Sequence, residues 1–283
     1  MSINNLLIAV IAIIAAPIIG GLLTGIDRKI TARMQNRFGP PILQPFYDFF
    51  KLLGKQSIAV NQTQMVYVLG HLFFAVGALV MLALKQDLLM LIFILAFSGV
   101  SLIMGAMSVR SPYSKIGAQR EIMQMMAYEP VLLLMVVGVY KTTGSFMISG
   151  IMEHSQPLLF SLPLVFLAFL YVLTIKLRKS PFDFSTSHHG HQELIKGLTI
   201  EFSGTQLALI ELTHWFDLVL LLGLISLFFA QPLWVGILIA LVSYFCEIVI
   251  DNVSARVTWQ WMVKVTWVAG IGAALVNIVW MYL

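Results

Sequence analysis

The stretch 201-EFSGTQLALIELTHWFDLVLLLGLISLFF-229 decides how this chain must be folded. Its second half is a run of leucine, isoleucine, valine and phenylalanine long enough to cross a bilayer, which takes about 20 apolar residues. Glu201, Glu211, His214 and Asp217 interrupt it. A charged side chain at the bilayer centre costs roughly 2.5–3.5 kcal/mol on insertion scales, so ionisable groups inside a span mark a polar pathway by default. The segment is therefore expected to be a membrane helix with a proton-bearing face.

The rest of the chain supports the bilayer setting. Hydrophobic residues make up 59% of its 283 positions and charged ones 11%, too few charges to cover a water-facing surface. Eight apolar runs are expected to span: 3–23, 66–84, 88–107, 122–140, 157–175, 204–229, 233–250 and 262–282. The first has no Lys or Arg before it and exceeds a typical signal-peptide core, so it is expected to be retained. Fifteen of the seventeen Lys and Arg residues fall on one side of this pattern; only Lys85 and Lys141 fall on the other. The positive-inside rule puts the crowded side in the cytoplasm and, with eight spans, both termini outside. The net charge of +4 then reflects topology and anionic headgroups, with no nucleic acid implied. The expectation is an all-α integral membrane protein: one domain, residues 1–283, in a prokaryotic cytoplasmic membrane, with eight transmembrane helices and an amphipathic surface helix after the first.

The cytoplasmic connections, about 24–65, 108–121, 176–203 and 251–261, are dense in particular residue types. In 27-DRKITARMQNRFGPPILQPFYDFFKLLGKQ-56, aromatic and leucine residues from Leu43 to Leu53 alternate with Asp48, Lys51 and Lys55. That pattern fits a helix lying on the membrane surface, introduced by Pro40, Pro41 and Pro45. It serves either as a lipid anchor or as a docking surface for a soluble partner. In 109-VRSPYSKIGAQREIMQMMAYEP-130, Glu129 lies about 12 Å beyond Glu121 if the segment is helical. In 176-KLRKSPFDFSTSHHGHQELIKGLTIEFSG-204, the acids are Asp183, Glu193 and Glu201; Glu247 and Asp251 close the seventh span.

Given that orientation, these acids share the cytoplasmic half of the bilayer. Glu211, His214 and Asp217 are spaced by three, so neighbours can meet along one helix face; if the helix started at Glu201, Glu211 would lie about 15 Å further in. Either a proton relay or a neutralising cluster that ties helices together satisfies this pattern. His188, His189 and His191 sit in a loop, where partner contact is the better reading than metal ligation, because a metal site needs ligands converging from defined directions. The lone cysteine, Cys246, excludes an intrachain disulfide and a cysteine-ligated cluster held by this chain alone.

The three loop segments resemble a known family. "DRKITARMQNRFGP" with "LQPFYDFFKLLGK", "SPYSKIGAQREIMQMMAYEP", and "SPFDF…QELIKGLTIEFSG" are similar, in order and spacing, to the signature loops of the membrane heel subunit of complex I. "SPFDFSTSHHGHQEL" resembles more closely the corresponding membrane subunit of Ech-type energy-converting [NiFe] hydrogenases, because complex I relatives carry an acidic run after the PFD element. The first loop also lacks additional glycines before LQP.

The resemblance implies a non-redox subunit of a ferredoxin-dependent hydrogenase complex that couples proton reduction, or its reverse, to ion translocation. Glu129, Asp183, Glu193 and Glu201 would form the proton entrance, and Glu211, His214, Asp217 and Glu247 the inward path. Arg28, Arg33, Arg37, Asp48, Lys51, Arg110, Arg120, His188, His189 and His191 would face partners. Those partners would be hydrogenase large and small subunits, an iron–sulfur subunit and an antiporter-like membrane subunit. The [NiFe] centre and [4Fe-4S] clusters would sit on them; no catalytic residue, cofactor or metal is expected on this chain. The alternatives are the quinone-site heel subunit of a complex I-like enzyme, the membrane subunit of a formate hydrogenlyase or CO-linked hydrogenase, and, last, a stand-alone secondary transporter.

Overall fold

A computed structural model describes residues 3–56, 61–154, 156–185 and 196–281. The described chain is helical throughout its length, apart from connecting turns and one isolated bridge between Asp87 and Met147. The helices are α1 (Ile3–Met34), α2 (Gln44–Leu53), α3 (Thr63–Ala83), α4 (Leu88–Met107), α5 (Pro112–Thr143), the short α6 (Ile148–Glu153) and α7 (Leu158–Ser161), α8 (Pro163–Lys176), α9 (Thr205–Ser226), α10 (Leu233–Val253), α11 (Trp259–Val265) and α12 (Gly272–Trp280). A π-helical turn, Thr266–Ile271, joins the last two into one rod. Seven of these rods are long and apolar enough to cross a membrane, and Pro163–Lys176 is an eighth, shorter apolar helix.

Spans 1 and 4 are longer than their apolar runs. Helix α1 carries on past residue 23 to Met34, so Arg28 and Arg33 project from a helix rather than a loop. Helix α5 begins at Pro112, ten residues before its apolar run, and contains Arg120, Glu121 and Glu129 in one continuous rod with Pro130 inside it. Charged, strong helix formers such as Arg, Lys, Glu and Gln sustain a helix outside lipid as well as apolar residues do within it, so hydropathy marks the hydrocarbon and not the helix end.

Span 5, expected as one helix over 157–175, is instead divided at Leu162 into α7 and α8. Pro163 has no N–H to give, and the break is bridged from α12. The Asn277 carboxamide oxygen accepts from Leu164 N at 2.8 Å and Val165 N at 3.3 Å, and its nitrogen donates to Ser161 O at 3.0 Å. In lipid each such group must find an internal partner. Alone, the 14 residues of α8 reach about 21 Å, short of a hydrocarbon core of about 30 Å.

The packing divides the chain into two compact units, residues 1–80, 94–122 and 183–219, and residues 81–93, 123–182 and 220–283. In the first, α1 turns a stripe of Ala9, Ala16, Gly20, Gly21, Gly25 and Ala32 inward and leaves Ile11 and Ile14 exposed. This reverses the pattern of a water-soluble helix. Lipid is as apolar as isoleucine, so helices associate through close approach of small residues and through hydroxyl hydrogen bonds. The α3–α4 pair shows the second device: Ser101 Oγ donates to Tyr67 O at 2.8 Å, and Ser98 Oγ to His71 O at 3.0 Å.

Helix α2 starts at Gln44 with Pro45 in its first turn. It settles the choice left open by the sequence for part of its face. Phe46 and Phe49 pack on Trp215 of α9, with ring centroids 5.2 and 5.6 Å apart, whereas Tyr47 and Phe50 remain exposed. In the second unit, the turn before α4 explains Asp87: its carboxylate accepts from Met90 N at 2.9 Å, an N-cap on a membrane helix.

Candidate ionisable site of the membrane interior

Within the first unit, three helices bring ionisable groups and their polar support together. His71 of α3 is 2% exposed. Its Nδ1 lies 2.9 Å from the Ser98 carbonyl oxygen and 2.7 Å from Ser98 Oγ on α4. A carbonyl can only accept, so Nδ1 carries the hydrogen and Nε2 the lone pair. His214 of α9 presents its ring edge-to-face to His71 at 6.3 Å. Asp217 follows one turn later, and one ligand atom from each of His71, His214 and Asp217 lies within 4.8 Å of the others. The spacing of three places His214 and Asp217 side by side, as the sequence predicts; Glu211, a turn earlier, is outside that group of three. His71 is absent from the expected set altogether. The signal that finds it is simple: an ionisable residue in the apolar run 66–84 is a functional candidate by position alone.

The expected entrance residues of the same unit lie before α9. Asp183 is 8% exposed, and the neighbouring Phe184 carbonyl accepts from Arg120 Nη1 at 3.5 Å. Leu198 N donates to Ser185 O at 2.9 Å. Here α5 approaches the 3-10 turn Gly197–Thr199 so closely that a Cβ on Gly117 would stand 2.3 Å from Leu198 N. Glu201 lies in a turn, not on the helix, which corrects the 15 Å helical spacing to Glu211. Gly204, at φ +52, takes a left-handed conformation that ends any helical continuity, and α9 begins at Thr205. Glu121, outside the expected relay, is 7% exposed. Glu193, His188, His189 and His191 lie outside the described residues.

The second unit holds the remaining acids. Glu129 is half-buried on α5, and Lys176 at the end of α8 supplies the nearby positive charge. Lys176 Nζ donates to Tyr128 Oη at 3.2 Å and stands 5.0 Å from that ring's centroid. Glu247 on α10 is 2% exposed, with the Thr174 hydroxyl, Lys179 and Asp251 as its polar neighbours. Its Oε2 has no hydrogen-bond partner among the described residues, so a proton or a water would complete its pairing. Lys179 lies 5.0 Å from the Tyr244 ring centroid, and Asp251 Oδ1 accepts from Ser180 N at 2.8 Å. Sequence spacing locates the acids, but the lysines that face them come from a helix far away in the chain.

The expected partner-facing charges are largely knitted to the chain itself. Asp48 accepts from Arg28 Nη1 at 2.8 Å, Lys51 Nζ at 3.0 Å and Gln44 Nε2 at 3.2 Å. Partial burial alone would raise its pKa, but the bonds from Arg28, Lys51 and Gln44 outweigh it and hold the carboxyl below its usual range. Arg33 lies over Phe38, 5.3 Å from the ring centroid, and Arg37 donates to Gln35. Arg110 is exposed.

A profile of the NADH dehydrogenase family matches residues 6–282. The chain is 30% identical to formate hydrogenlyase subunit 4 of Escherichia coli (strain K12), over 91% of this chain and 92% of that one. It is 30% identical to NADH-ubiquinone oxidoreductase chain 1 of Papio hamadryas, over 81% and 76%. Its identity to the heel subunit of the NADH-quinone oxidoreductase of Thermomicrobium roseum is 28%, over 90% and 88%. Among solved structures it superposes on a chain of the membrane-bound sulfane sulfur reductase, an archaeal respiratory membrane complex. That match has a TM-score of 0.88 and 26% identity, and covers 98% of this chain and 99% of the other.

Proposed function

Because this chain belongs to the NADH dehydrogenase family, which includes the heel subunit of complex I, we propose that it is the membrane subunit of an Ech-type energy-converting [NiFe] hydrogenase. In this reading it anchors a soluble redox arm, fed by ferredoxin, on its cytoplasmic face and relays protons toward an antiporter-like partner. The [NiFe] centre and [4Fe-4S] clusters belong to the hydrogenase and iron–sulfur partners. The arginine-rich end of α1, together with α2 and the exposed Arg110, meets those partners. Glu129, Asp183, Glu193 and Glu201 take protons in, and Glu211, His214, Asp217 and Glu247 pass them on. Electron transfer in the arm changes the charge at the entrance, and linked electrostatics carry the change inward.

One observation carries the reading. Ionisable side chains on apolar spans are not scattered: His71 sits against Ser98, Glu129 near Lys176, and Glu247 beside Thr174. Such pairing inside a membrane marks ion or proton pathways. The test uses the purified complex in proteoliposomes, supplied with reduced ferredoxin. Glu129→Gln and Glu201→Gln should each leave the complex assembled while lowering proton translocation by about tenfold or more, given that a positioned acid or base contributes about a hundredfold. Wild-type translocation in both variants would refute the assignment.

A second reading, the heel subunit of a quinone-reducing complex, is favoured by the likeness to the NADH-quinone oxidoreductase of Thermomicrobium roseum. Reduction of a quinone, with no hydrogen evolved from reduced ferredoxin, would select it.

A further inference from the structure

The group formed by His71, His214 and Asp217 has a feature that a proton path does not require. Its three donor atoms come from two helices and converge within 4.8 Å of one another. We propose that His71 Nε2, an imidazole nitrogen of His214 and a carboxylate oxygen of Asp217 bind one divalent transition metal of the zinc class inside the membrane-spanning part of the protein.

Four observations converge on this. Two imidazoles and one carboxylate are a zinc donor set, with three protein ligands and an open fourth position, and imidazole nitrogen selects against magnesium and calcium. Ligands about 2.0–2.1 Å from a tetrahedral centre stand about 3.4 Å apart, so the group closes on an ion by side-chain rotation of about an ångström. The outer support is already built. The Ser98 carbonyl, 2.9 Å from Nδ1, fixes the His71 tautomer that offers Nε2, and Ser98 Oγ is itself held by its bond to His71 O. A second hydrogen bond of this kind orients the histidine in metal sites. Finally, His71 is buried but His214 and Asp217 are only half-buried, which leaves a side from which an ion and its water can enter.

The binding site stands on this geometry alone. Its consequence rests on the proton-relay reading: an ion held here takes His214 and Asp217 out of proton exchange, so zinc stops translocation.

The experiment uses the complex purified through this chain, freed of loose metal by a chelator and titrated with zinc chloride. Wild type should bind one more zinc per copy of this chain than the His71→Ala and Asp217→Asn complexes do. Zinc K-edge absorption fine structure of that extra metal should show two imidazoles and oxygen ligands at about 2.0–2.1 Å. Ser98→Ala should weaken its binding by about tenfold or more. Equal zinc content and affinity in wild type and the two ligand variants would overturn the site. Should those variants fail to assemble, the wild-type spectrum decides: a bound-zinc shell without imidazole, or no extra zinc, overturns it equally. Zinc bound in this geometry with translocation unchanged would establish the site and remove His214 and Asp217 from the proton path.

Discussion

At Asp48 three donors from two helices meet on a single carboxylate. The sign of its pH dependence follows. The native pKa is lowered relative to an unfolded value of about 3.9. The contribution to stability is therefore complete above that value and is lost as pH falls through the lowered native one. Arg28 and Lys51 are partly exposed, at 42% and 59% of their side-chain surface, so solvent screening limits the pair to at most about 1 kcal/mol. Asp48→Asn should destabilise the complex slightly at neutral pH and flatten the acid limb of its thermal-midpoint profile; an unchanged acid limb would show that the carboxylate contributes nothing. At this scale the sequence identifies charges better than partners. Asp48 and Lys51 are visible as part of one amphipathic pattern, but the arginine that completes the group lies twenty residues earlier, on another helix. His71 shows the converse: one histidine without a neighbouring acid in sequence raises no pattern, and its companions come from α9.

Among the elements, the break in span 5 is the clearest departure from what hydropathy suggests. The apolar run is continuous, so its only sequence mark is a pair of prolines, Pro157 and Pro163, which are common in membrane helices. What makes the break stable is a carboxamide from α12, and no local pattern reports that. Asn277 is 5% exposed and satisfies three backbone groups. Asn277→Leu would orphan them at a cost of about 1–3 kcal/mol for each buried group left unsatisfied. The detergent-solubilised complex should show a clearly lowered thermal midpoint; an unaltered midpoint would mean the break is held by α7 and α8 themselves. The amphipathic α2 is more legible, because its aromatic periodicity and Pro45 announce both the helix and its start. The side it turns to Trp215 rather than to solvent is again a matter of which helix lies beside it.

For the molecule as a whole, eight apolar rods and the family were readable from the residues, because lipid imposes length and composition on every span. The orientation drawn from the Lys and Arg distribution makes a direct prediction. In a Cys246→Ser background, Gln86→Cys should react with a membrane-impermeant maleimide on intact cells, and Lys55→Cys should react only after permeabilisation. The opposite pattern would invert the topology. Less legible are the junctions between lipid and water, where α1 and α5 continue as helices through sequence that hydropathy assigns to loops.

That continuity in α5 has a mechanical meaning. Its 32 residues make a bar about 48 Å long, with Arg120 on one arm and its weakest joint at Pro130, where proline withholds the amide hydrogen owed to the preceding turn. A torque applied to the arginine arm is relieved at that fulcrum, and the side chain mounted directly on it is Glu129.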